Sequence, residues 1–131
     1  MILLDTPSLI WWVNRNAELS AAALGHIEAQ RPGGTILISA ISAWDVAHWA
    51  AAGRLGLRME PGIWLGLVAA IPEVNWVPID TAIALEAATL PEPAPPGLPS
   101  RILAATARHS GCPLVTRDAG LQSYIHVKTI W

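Results

Sequence analysis

At 131 residues, with 53% hydrophobic and only 14% charged side chains, the chain has the apolar content for one domain with elements buried on two faces. A formal net charge of −2 excludes global steering toward nucleic acid, so any RNA or DNA contact must rest on a local feature. The single Cys112 excludes an intramolecular disulfide and suits a reducing cytoplasm. Uncharged runs such as Pro32 to Trp44 fall short of the roughly 18 apolar residues of a membrane span.

Ile2-Leu3-Leu4 reads as a short buried strand running into Asp5-Thr6-Pro7, a helix start with Asp5 as its N-cap. A helix over Thr6–Val13 follows, then one capped by Ser20 and running to about Gln30. After the turn Arg31-Pro32-Gly33-Gly34, Thr35–Ile38 is a second buried strand, and Ser39 to about Ala52 is a helix closed by Gly53. Pro61 opens a fourth helix, with its apolar body at Ile63–Ile71. Trp76–Ile79 reads as a strand whose Pro78 points to a sheet edge. Asp80 caps Thr81–Thr89, and Leu90–Pro99, with five prolines, is a stiff extended loop. Ser100 is expected to cap a helix to about His109. A strand over Leu114–Thr116, a helical turn from Asp118 and a strand over His126–Ile130 close the chain. Strand and helix alternate, which predicts one α/β domain over residues 1–131, with a mainly parallel sheet between helix layers.

Such sheets bind ligands at the C-terminal strand edge, where this reading places Asp5 and Asp118. Asp45 lies two turns into the third helix, between Trp44 and Val46. A carboxylate among apolar neighbours is costly unless paired or bound to a cation. Three acids converging from separate segments suit an oxygen-ligand site for Mg²⁺ or Mn²⁺. Capping alone would also account for Asp5 and Asp118. No such role accounts for Asp45, because Asp is a poor mid-helix residue. The histidines lack zinc-ligand spacing, and the arginines form no run. Seven tryptophans with no phenylalanine suggest core or subunit interface, with base-stacking platforms as the alternative.

These segments, in this order, resemble the PIN-domain ribonucleases, specifically the VapC-type toxins of toxin–antitoxin pairs. The likeness rests on Met1-Ile-Leu-Leu-Asp5-Thr6, on Ser39-Ala-Ile-Ser-Ala-Trp-Asp45-Val-Ala47 followed by Gly53-Arg54-Leu55, on Arg101-Ile-Leu-Ala-Ala-Thr-Ala107 and on Leu114-Val-Thr-Arg-Asp118. It implies a helix-sandwiched parallel sheet and a Mg²⁺- or Mn²⁺-dependent endoribonuclease of the cytoplasm. It also implies a homodimer and a small antitoxin that blocks the pocket. By position, Asp5, Asp45 and Asp118 are the implied catalytic and metal-binding acids. Thr6, Ser100 and Thr116 are implied supporting hydroxyls, and Arg101 and Arg117 implied contacts to the RNA substrate.

The chain departs from the family at four places, one being the proline loop Leu90–Pro99, which lacks the acidic Asp-Pro start often seen there. Asp45 stands where Glu is usual, which withdraws the carboxylate by about 1.5 Å. Ser100 stands where the family has Asp, and Trp49 where a Lys is frequent. Two expectations follow: a nuclease working with three acids, or a degenerate PIN domain kept as a protein- or RNA-binding module.

Overall fold

The computed structural model describes residues 1–131. Its centre is β1 (Ile2–Leu4), which pairs in parallel with β2 (Ile36–Ser39) on one side and β4 (Leu114–Val115) on the other. β3 (Val74–Val77) and β5 (Thr129–Ile130) form the edges, so the sheet runs β3-β2-β1-β4-β5 with every pair parallel. Chain direction across the sheet reverses at β1. The crevice between the ends of β1 and β4 is therefore the topological switch point.

Alternation along β1 sorts its side chains between two cores. Ile2 and Leu4 pack with α1 (Thr6–Val13), α2 (Ala21–Glu28) and α4 (Pro61–Ala69) through Leu9, Ile27 and Val68. Leu3 faces the opposite layer, where α5 (Thr81–Ala88), α6 (Leu98–Ser110) and α7 (Ala119–Ser123) supply Ile83, Leu103 and Leu121. The result is the expected three-layer α/β/α arrangement. α3 (Ala40–Ala51) belongs to both layers, because Ile41 joins one core and Val46 the other. It starts at the C-terminal end of β2, which sets its first turns beside the switch-point crevice. No helix is long and apolar enough to cross a membrane.

β2, β4 and α2 shift by one or two residues from the sequence reading, and four further boundaries differ. β3 lies at Val74–Val77 rather than at residues 76–79, since Val74 N–H already bonds back to Ile71 and β2 pairs from Ile36 to Val74. The edge position inferred from Pro78 holds, with Pro78 just beyond the strand. β5 keeps only Thr129 and Ile130, because β4 is two residues long and offers no more partners. α4 runs Pro61–Ala69, its N-cap being Glu60. Ser100 is not the cap of α6: the helix begins at Leu98 with Gly97 at the N-cap, Pro99 sits in the first turn, and no side chain closes the cap.

Leu3 is fully buried on the central strand, whereas Leu85 on α5 is 65% exposed. Leu3→Ala is expected to cost about 2–5 kcal/mol in urea unfolding. Leu85→Ala is expected to stay within about 0.5 kcal/mol of the parent. Equal losses would contradict this assignment of the core.

Candidate active site

The β1–α1 junction places the first acid. Asp5 N–H completes the ladder to Val115 C=O at 3.1 Å, and the chain then turns into α1. Asp5 becomes the N-cap, its Oδ1 accepting from Ser8 N–H at 2.8 Å. Asp118 does the same at the end of β4. Its Oδ1 accepts from Leu121 N–H at 2.9 Å, and its own N–H donates to Thr116 Oγ1 at 3.0 Å. Capping and site membership are therefore not alternatives for these two acids. The cap geometry is what aims both into the crevice between β1 and β4.

Asp45 comes from α3. It is only 4% exposed, and its Oδ2 accepts from Thr6 Oγ1 at 2.7 Å. Thr6 Oγ1 also lies 2.8 Å from Ser42 Oγ. Thr6 has one hydroxyl proton, which the carboxylate takes, so the Ser42 contact must be donated by Ser42. This fully buried relay, Ser42 to Thr6 to Asp45, ties α1 to α3 across the crevice. Thr6 was among the residues expected to support the site. Ser42 was not singled out, although a small polar residue one turn before an acid on an apolar helix is the signal that would have found it.

Asp5, Thr6, Asp45, Ser100 and Asp118 all line one cleft of about 330 Å³, together with Trp44, His48 and Trp49. A larger groove of about 640 Å³ lies between α1 and α2. Its one acid, Glu28, already accepts from Trp12 Nε1 at 3.0 Å. The acidic cleft is thus the smaller one but the one with unspent chemistry.

Burial sets the electrostatics there. Desolvation pushes the Asp5 carboxyl above the ordinary carboxylate range, against hydrogen bonding from Ser8 and Thr116 and with a further push from the nearby Asp118 charge. Asp45 is raised as well, by desolvation first, against the Thr6 hydrogen bond and the attraction of His48. Neither acid has an ion-pair partner. The chain's ion pairs (Arg31–Glu73, Arg101–Glu92, Arg108–Glu86 and Arg117–Glu18) all lie elsewhere.

The two expected substrate arginines do not line the cleft. Arg101 turns back onto α5 and the proline loop, donating from Nε to Ala87 C=O at 2.8 Å, from Nη1 to Pro95 C=O and from Nη2 to Ala88 C=O. A guanidinium at the carbonyl end of α5 is held by the helix dipole as well as by those bonds. Arg117 is drawn the other way, to Glu18 at 2.6 Å and over the Trp11 ring at 4.5 Å. Thr116 is fully buried and does not line the cleft, although its hydroxyl accepts from Asp118 N–H.

A divalent cation is the group the donor set suits. Hard carboxylate and hydroxyl oxygens, two of the carboxylates buried without positive partners, match Mg²⁺ or Mn²⁺ chemistry. The acids do not close into a ready-made cluster of three or more ligands. Each is held by its own local bond, to Ser8, Thr6 or Leu121. Such sites ordinarily use one or two carboxylates and keep several waters, so the residues present fit.

Comparison with known proteins places the chain. The PIN domain family model matches residues 2–126. Ribonuclease VapC22 of Mycobacterium tuberculosis is 33% identical over 132 residues, covering 99% of this chain and 98% of that protein. Among solved structures, VapBC2 of Rickettsia felis, bound to a fragment of its promoter DNA, superposes with a TM-score of 0.70 at 14% identity. It covers 98% of this chain and 97% of its own. A toxin–antitoxin complex from Klebsiella pneumoniae superposes at 0.67 with 23% identity, covering 97% and 95%. These structural likenesses establish the fold.

The raised carboxyls fix the sign of a pH effect. A folded-state pKa above the unfolded value means the folded chain holds the proton where the unfolded chain has released it, so stability falls as pH rises through that window. Asp45→Asn, which keeps the acceptor for Thr6, is expected to raise the thermal midpoint at pH 7. The gain should vanish as pH falls from the raised folded value toward the ordinary 3.8. A variant less stable than the parent at pH 7 would contradict the unpaired-charge assignment.

Proposed function

Because the chain belongs to the PIN-domain family, in its VapC-type branch, we propose that it is an endoribonuclease that works with Mg²⁺ or Mn²⁺ at the acidic cleft. The observation that carries this reading is the pair of buried acids, Asp5 and Asp45, neither of which is in a salt bridge with a cation of the chain. A bound divalent ion supplies Lewis acidity and an activated water for in-line attack on a phosphodiester.

The chain's residues supply the rest. Asp5, Asp45 and Asp118 are the proposed catalytic acids and metal ligands, presented from three different elements of the fold. Thr6 holds Asp45 in one rotamer, and Thr116 seats the backbone of Asp118 while bearing on Asp5. Ser100, half-buried in the first turn of α6, offers a hydroxyl at the cleft wall where the family resemblance implies a carboxylate. It would act through water rather than as a charged ligand.

The same reading extends to partners. VapC-type proteins are found in complex with antitoxins, and a small antitoxin covering the cleft, a homodimeric assembly, a single-domain organisation and a cytoplasmic setting are proposed for this chain.

One observation favours a second reading. The acids do not gather into a three-ligand cluster, and Ser100 removes a charge, as expected for a PIN fold retained to bind protein or RNA without cutting. Cleavage of a mixed RNA pool in Mn²⁺ separates the two. On the nuclease reading the parent cuts, Asp5→Ala lowers the rate by at least roughly 100-fold, and Ser100→Asp raises it. Silence of the parent with activity only in Ser100→Asp would establish the binding-module reading. Activity indifferent to Asp5→Ala would remove the cleft from the chemistry altogether.

A further inference from the structure

Two tryptophans, Trp44 and Trp49, line the cleft beside its acids, and Trp44 stands apart from the chain's other tryptophans. Trp12 and Trp64 are buried, and Trp11, Trp49, Trp76 and Trp131 are partly buried in the cores, but Trp44 is 56% exposed. It precedes Asp45 on α3 and lines the same cleft. Its indole is not loose: the His48 imidazole, one turn on, stacks against it at 4.5 Å with an interplanar angle of 16°. That contact lays the imidazole over one face of the ring, and at 56% exposure the indole keeps apolar surface open to solvent. An ordered, half-covered indole beside a reacting centre is a preorganised stacking platform.

The cleft's charge favours such a platform. Among the cleft-lining residues, Asp5, Thr6, Pro7, Asp45, Ser100 and Asp118 offer no cation, and His48 is the only lining side chain able to carry positive charge. Arg101 and Arg117 are committed to the proline loop and to Glu18. Phosphate contacts, the usual main source of affinity for nucleic acid, are therefore scarce at this cleft. Stacking of a base on an aromatic face supplies affinity without charge. It requires a base whose own face is free, as in single strands and loops but not in a duplex.

We infer that Trp44 is a nucleobase platform of this site, stacked on its other face by His48, and that it takes the base next to the bond placed in the cleft. This rests on the proposed nuclease reading and adds a positioning residue to it. Trp44 acts on how RNA is held rather than on the reacting phosphate.

The test measures binding and turnover separately. Binding of a fluorescein-labelled single-stranded RNA and of the same sequence as a duplex is followed by fluorescence anisotropy. KM and kcat are taken from initial cleavage rates in Mn²⁺. Parent, Trp44→Phe and Trp44→Ala are compared, with thermal midpoints as the check on folding. The expected result is single-strand preference in the parent and a roughly 5- to 100-fold loss of affinity, seen in KM with little change in kcat, for Trp44→Ala. Trp44→Phe is expected to recover most of the loss. Trp44-dependent binding by a parent that cuts nothing would uphold the platform while the nuclease reading fell. A cleaving parent whose KM and single-strand affinity survive Trp44→Ala would overturn the platform alone. A parent that neither binds nor cuts RNA would overturn both.

Discussion

Two carboxylates buried without a counter-charge are the constraint around which the rest of the molecule is arranged. Burying a carboxyl is expensive in its ionised form, and this chain buries two at one cleft while Arg101 and Arg117 are engaged elsewhere. Hydrogen bonds from Thr6 and Ser8 soften the cost without removing it, since both carboxyls stay above their ordinary range. A fold selected for stability alone would have placed apolar or amide side chains there. On the proposed reading, a divalent cation at the cleft would offset that cost.

The architecture explains how so short a chain assembles the site. β1 lies at the centre of the sheet, so its end is at the switch point, and the residue that leaves it must also start a helix. Asp5 satisfies both demands, and Asp118 repeats the arrangement one strand over. Asp45 needs a different device, because it sits inside α3 rather than at a helix end. α3 is anchored in both cores by Ile41 and Val46, and Thr6 reaches across from α1 to lock the carboxylate. One threonine thus joins the first strand's exit to the third helix.

Much of this was legible in the residues. Short apolar strands with acids at their ends, capping residues and alternation of elements were enough for a parallel α/β/α fold, and the departure of Asp45 from helix preference marked it as special. The misplaced features share a cause. Strand boundaries at β3 and β5 are set by how far a neighbouring strand extends, which local composition does not encode. Ser100 looked like a cap because serine caps helices, yet Leu98 and Pro99 had already begun the helix one turn earlier than that reading allowed. The arginines were assigned to substrate by position in the family pattern. Their actual partners, Ala87 and Ala88 for Arg101 and Glu18 for Arg117, are distant in sequence and visible only once the chain is folded. The stacked Trp44–His48 pair was hidden among seven tryptophans for the same reason.

The measurement closest to the central claim is a Mn²⁺ titration followed by electron paramagnetic resonance of the free ion, comparing the parent with the Asp5→Asn/Asp45→Asn double variant. Both substitutions keep the cap and the acceptor geometry while removing the two buried charges. Depletion of free Mn²⁺ by the parent and none by the double variant is the predicted result. Equal depletion by both proteins, or none by either, would mean that the buried acids hold no cation and that their charge serves some other end.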